Sequence, residues 1–202
     1  MPLVRGGYPV NHALRKYTGG ASNLVQANIP PRSNQEWLGA PSADTAAALT
    51  TAVATSVAVP VEVGDVISKI TVLVGATAAA VPTNAFAAVY SGIAVPALLA
   101  QSTSQGAAAV PASTAVVFTL TAPVTVTNVN APSGFLYVSI VAAATTVPSL
   151  ATVAVPAAVG YKAFATSPLF LAATHGSALS TTAPATIAAP VTVSNAPIVY
   201  LT

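Results

Sequence analysis

Phe135-Leu-Tyr-Val-Ser-Ile-Val141 (FLYVSIV) is apolar in both registers of a two-residue repeat. In an extended chain successive side chains point to opposite faces. Leu136, Val138 and Ile140 therefore share one face, and Phe135, Tyr137 and Val141 share the other. A strand of this composition needs cover on each side, which places it in the middle of a sheet rather than at an edge.

Working outward, the same period recurs on both sides. Val57, Val59, Val61 and Val63 alternate with Ser56, Ala58, Pro60 and Glu62 up to a turn at Gly64-Asp65. Ile70, Val72 and Val74 then alternate with Lys69, Thr71 and Leu73 until Gly75. Further strands are predicted over 85–90, 97–102, 115–121, 123–127, 151–155, 161–165, 190–193 and 198–201, separated by Pro- and Gly-containing joints. Many short strands at this spacing, with no long helical pattern, define an all-β fold: an antiparallel β-sandwich or jelly roll. Ile70, Val72, Val74, Phe118, Leu136, Val138 and Ile140 are its expected inward-facing residues. The Ala/Thr/Pro tract Thr181–Pro190 (TTAPATIAAP) has the composition of a linker.

Residues 1–43 read differently, as an extended, mostly irregular N-terminal arm preceding the sandwich of residues 44–202. Pro2, Pro9, Pro30, Pro31 and Pro41 recur with Gly6-Gly7, Gly19-Gly20 and Gly39, which rules out a long helix or a central strand. One short helix is expected after an Asn11 cap, ending near Gly19. Residues 42–49 lead into the first strand or hold one more turn.

Charge separates the same two parts. Charged residues are 5% of the 202, where a soluble domain usually has about a quarter. Arg5, Arg15, Lys16 and Arg32 against Glu36 give residues 1–43 a net +3; the rest nets −1. From Ile70 onward the sole charged side chain is Lys162. Such a surface is solvated by hydroxyls and amides or is covered by other chains. That layout suits an assembly component. The overall excess of two charges is too small for tight nucleic-acid binding. Apolar runs are broken long before the roughly 20 residues a membrane helix needs. No secretory leader is apparent at the start, and the absence of cysteine excludes disulfides and thiolate chemistry.

Little is available for catalysis. The acids are Glu36, Asp44, Glu62 and Asp65, and the histidines His12 and His175. Asp65 is expected to hold backbone N–H groups in its own turn; a calcium-binding pair with Glu62 is the other reading, short of the six to eight oxygens that ion takes. His175 is expected as a polar loop histidine, since no acid lies near it in sequence. No catalytic residue, metal ligand or cofactor is assigned. Tyr90, Tyr137, Tyr161 and Phe164 are expected in the core rather than on a sugar-stacking face. Trp37, with Arg32 and Glu36 beside it, is expected to anchor the arm in a neighbouring subunit.

The strings GDVISKITVLVG (Gly64–Gly75), PTNAFAAVY (Pro82–Tyr90), PALLAQST (Pro96–Thr103), STAVVFTL (Ser113–Leu120), GFLYVSIVAAATTVPSL (Gly134–Leu150) and PIVYLT (Pro197–Thr202) resemble a β-sandwich domain of virion structural proteins in tailed bacteriophages, particularly those of actinobacterial hosts. In that family the turns carry more Asp and Arg than SGIAVP (Ser91–Pro96) does here, and no ligand site is transferred. The resemblance implies a capsid decoration, head-fibre or minor tail role. The expectation is a decoration protein on the outer surface of the capsid, bound to the major capsid protein through Arg5, Tyr8, Arg15, Lys16, Tyr17, Arg32 and Trp37. Self-association, a trimer by preference, is expected of so uncharged a body; neither nucleic acid nor membrane is an expected partner. The alternative is a minor tail or fibre protein that binds host-surface glycans, which calls for an exposed aromatic cluster. A host adhesin would need an export signal.

Overall fold

A computed structural model describes residues 32–34, 46–106, 110–155 and 170–202. The expected helix after Asn11 and the strand at 161–165 lie outside them. Among the described residues there is no helix. Thirteen strands run β1 Arg32–Ser33, β2 Ala46–Ala48, β3 Ala54–Pro60, β4 Val66–Leu73, β5 Ala80–Tyr90, β6 Leu98–Gln101 and β7 Ala115–Thr125. They continue with β8 Phe135–Thr146, β9 Ser149–Ala154, β10 Ala172–His175, β11 Val191–Thr192, β12 Asn195–Pro197 and β13 Val199–Leu201. Every pairing between them is antiparallel.

The strands form a four-stranded sheet ordered β1-β13-β4-β7 and a six-stranded sheet ordered β11-β10-β3-β8-β5-β6. A smaller sheet, β12-β9-β2, joins the end of β4 through a Val74–Leu150 bridge. β8 lies inside the six-stranded sheet with β3 on one flank and β5 on the other. Its inner row, Leu136, Val138, Ile140 and Ala142, packs in the main core with Ile70, Val72, Val74 and Phe118 of the opposing sheet. All seven residues expected to face inward do so.

The other face of β8 is buried as well. Phe135, Tyr137 and Val141 pack with Phe86, Ala88 and Tyr90 of β5 and with Phe170, Ala183 and Ile187. The cover is Phe170 with residues 176–190, which contain the tract that reads as a linker. It has almost no regular structure, yet its backbone is bonded at intervals to the sheet and the loops beside it: Leu179 N–H to Ala52 O at 2.9 Å, Ile187 N–H to Pro96 O at 3.0 Å, and Leu98 N–H to Ala185 O at 2.9 Å. Gln101 Oε1 accepts the Ala183 N–H at 2.7 Å. An irregular segment can lie on a core only when its polar groups find such partners.

Three further departures from the strand reading have local causes. β3 is buried on both faces because β10 pairs beside it and the cover lies above; the strand ends at Pro60, Val61 still packs in the core, and Val63 is exposed in the turn. The two strands expected at 115–121 and 123–127 are the single strand β7. Its register against β4 shifts between Ile67 and Lys69, opposite the exposed Thr121-Ala122-Pro123. An edge strand tolerates proline at such an irregularity. Finally, His175 ends β10 rather than sitting in a loop, because Ala172–His175 pairs along Ala54–Val57 of β3.

Close approach at Gly92 ties the β5–β6 loop to the start of β8. Its N–H donates to Asn130 O at 2.7 Å, and a Cβ at this position would collide with the Phe135 carbonyl oxygen. Backbone cannot move aside as a side chain can. Gly92→Ala should therefore lower unfolding free energy by about 2–4 kcal/mol in denaturant titration, whereas Val63→Ala in the exposed turn should change it by less than about 0.5 kcal/mol.

Candidate functional site

Of the residues expected to attach the protein to a shell, Arg32 is the one the structure describes; Arg5, Tyr8, Arg15, Lys16, Tyr17 and Trp37 lie outside the described residues. Arg32 begins β1, paired with Leu201 of β13. Its Nε donates to Asp65 Oδ2 at 2.6 Å and its Nη2 to Asp65 Oδ1 at 3.2 Å. Glu62 Oε2 lies 3.4 Å from the same Nη2. Asp65 Oδ2 also accepts the Glu62 backbone N–H at 2.8 Å, the turn-holding role expected of it. The guanidinium therefore holds the carboxylate pair, and no group of three metal-ligating side chains occurs among the described residues.

The next two residues complete the junction. Ser33 Oγ donates to Val199 O at 2.9 Å. Asn34 is fully buried; its Nδ2 donates to Pro197 O at 2.7 Å and its Oδ1 accepts the Val199 N–H at 3.0 Å. The amide side chain thus continues the ladder where the two-residue strand ends. Residues 32–34, read from composition as arm, are part of the sandwich, and the compact unit begins at Arg32. Bidentate charge-assisted bonds that are mostly shielded from water outweigh exposed ion pairs. Asp65→Asn should cost about 1–2 kcal/mol of unfolding free energy and Glu62→Gln close to nothing, measured by denaturant midpoint at constant slope.

A second polar cluster lies on the covered face of the six-stranded sheet. His175 Nε2 is 2.8 Å from Ser56 Oγ and 3.3 Å from Ser139 Oγ, and the two hydroxyls are 2.5 Å apart. Tyr90 meets the imidazole edge-on at a centroid distance of 5.8 Å. A serine against a histidine is half of a nucleophile–base pair, but here Nδ1 has no partner to orient it. All three side chains are 4% exposed or less, so no substrate reaches them. The cluster satisfies hydroxyls that three adjacent strands bring together.

Burial lowers the His175 pKa to about 4, below its ordinary value of about 6.5. The unfolded chain therefore takes up the proton first. The stability contributed by the neutral imidazole is complete above about pH 6.5 and declines as pH falls toward 4, by about 3 kcal/mol in all. Denaturation midpoints between pH 7.5 and 4.5 should show this decline in the native protein, and His175→Gln should flatten it.

Tyr90 and Tyr137 are fully buried. Tyr137 stacks on Phe170 with centroids 4.3 Å apart and touches Phe135 edge-on. Its hydroxyl accepts the Phe170 N–H at 3.3 Å, and Tyr90 OH donates to Pro184 O at 2.9 Å. Neither ring forms a stacking platform; Tyr161 and Phe164 lie outside the described residues. A signal for the histidine cluster was present in the sequence: Ser56 interrupts the row Ala54, Ala58 and Ser139 the row Tyr137, Val141. A hydroxyl inside an apolar row implies a buried partner. No protein-family model matches the chain, and no curated protein matches it.

Proposed function

We propose that this chain is a phage capsid decoration protein: a cement or minor capsid component that binds the outer shell through its N-terminal arm and displays the sandwich. The observation that supports this reading is the separation of charge. Four of the six cations lie in the first 32 residues, and the long remainder is almost uncharged. Core burial of Tyr90 and Tyr137 also favours a structural role over glycan stacking.

In this mechanism many copies bridge neighbouring major capsid subunits and oppose their separation. Ordering the arm costs roughly 1–2 kcal/mol per residue of backbone. Leu3, Tyr8, Leu14, Tyr17, Leu24, Ile29 and Trp37 offset that by burying apolar surface, at about 25 cal/mol per Å². Arg5, Arg15 and Lys16 pair with acidic groups of the shell. Arg32 acts differently, because Asp65 holds it and it fixes the point where the arm joins the sandwich. The body associates with its own copies, a trimer matching the local threefold positions of an icosahedral shell.

Co-sedimentation with undecorated heads tests the division of labour. Removing residues 1–31, and so keeping the Arg32–Asn34 strand, should leave a β-rich spectrum and a cooperative melt but weaken decoration, and adding Trp37→Ala to that truncation should abolish it. In the full chain Trp37→Ala should weaken binding about tenfold or more, and single changes of Arg5, Arg15 or Lys16 by less than about fivefold. Full occupancy by the truncated body carrying Trp37→Ala would place attachment on the sandwich instead.

A further inference from the structure

The inner rows of three strands change character at one end of the sandwich. On β3 the row Val59, Val57 ends in Thr55; on β9 Leu150 is followed by Thr152; on β10 Ala172 is followed by Thr174. These threonines open onto a cleft of about 370 Å³, rimmed by Thr192, Ser194 and Asn195. The volume lies within the range typical of small-molecule sites.

No charged and no aromatic side chain lines the cleft. Thr55 is the informative residue. It is 7% exposed, yet its hydroxyl makes no hydrogen bond to the protein, whereas every other buried polar side chain among the described residues has a partner. That oxygen is not enclosed by protein, since the one fully buried side-chain polar atom without a partner among the described residues is His175 Nδ1; the Thr55 hydroxyl faces the cleft and is left for whatever occupies it.

We propose that the cleft binds a neutral polyhydroxylated ligand, one or two sugar rings in size. Threonine and serine hydroxyls each donate and accept, as does the Asn195 amide, and this matches the mixed donor–acceptor character of sugar hydroxyls. The threonine methyls with Leu49 and Leu150 offer apolar contact to ring C–H groups. An ionic ligand would lose its hydration with no counter-charge to replace it, and a purely apolar one would leave Thr55 unsatisfied. None of the lining residues belongs to residues 1–43, and the inference does not depend on the capsid reading.

Saturation-transfer NMR on the full chain tests the inference with glucose, galactose, mannose, N-acetylglucosamine, maltose and lactose as probes. Glucuronate and glucosamine serve as charged analogues and cyclohexanol as the apolar ring. At least one neutral sugar should saturate with a millimolar-range Kd and bind at least about tenfold more tightly than all three controls. Thr55→Val, which removes only the hydroxyl, should weaken binding about fivefold. Asn195→Ala on the rim should do the same without lowering the melting temperature, so a folding defect in the first variant leaves the test intact. No neutral sugar bound at about 20 mM, equal binding of any control, or sugar binding indifferent to both variants would overturn the proposal.

Discussion

Burial of β8 on both faces is the constraint from which the rest of this structure follows. One apolar face can be covered by the second sheet of a sandwich, but the other needs a third layer. Six strands cannot supply it, because their outer row carries Phe86, Tyr90, Phe135 and Tyr137. The chain supplies it with an irregular tract, and that choice fixes much of the local chemistry. Tyr90 reaches a carbonyl of the cover, Gln101 binds its backbone, and the cover closes over Ser56, Ser139 and His175.

With so few charges, polar satisfaction is carried by neutral groups. Ser102 accepts the Ala87 N–H and Ser91 the Ala97 N–H, small bonds that hold loops against strands. The charged exception is local. Arg32, Glu62 and Asp65 meet at the β3–β4 turn and tie in a strand of two residues, too short to persist on backbone pairing alone. Charge here serves the junction, while the sandwich relies on packing and hydroxyls.

The double-sided character of Phe135–Val141, the inward row of β4 and the turn at Gly64-Asp65 were legible because period-two patterning reports directly on which face is buried. What was not legible shares a cause. β10 has only four residues, and its alanines and threonine carry little strand signal beside a Gly-containing turn. Its identity comes from β3, 115 or more residues earlier in the chain by register. The cover of residues 176–190 has linker composition because it needs no periodicity, only correctly spaced backbone contacts. Arg32 grouped with the arm by charge, since sequence proximity does not reveal an ion pair whose members are 33 residues apart. The threonine cleft was invisible for the same reason: no two of its three strands lie together in the part of the chain where their pattern could be read as one unit.

Tension on the segment preceding Arg32 would enter the sandwich through a strand at the edge of its sheet. The guanidinium passes part of that load sideways into the β3–β4 turn, while Asn34 holds the following residue to the Pro197 and Val199 backbone. None of these contacts belongs to the main core. Overload would therefore peel β1 away as a latch, leaving the packed sheets intact and the contacts free to re-form when the force is removed. High ionic strength would weaken the ionic half of that latch and leave the amide half unchanged.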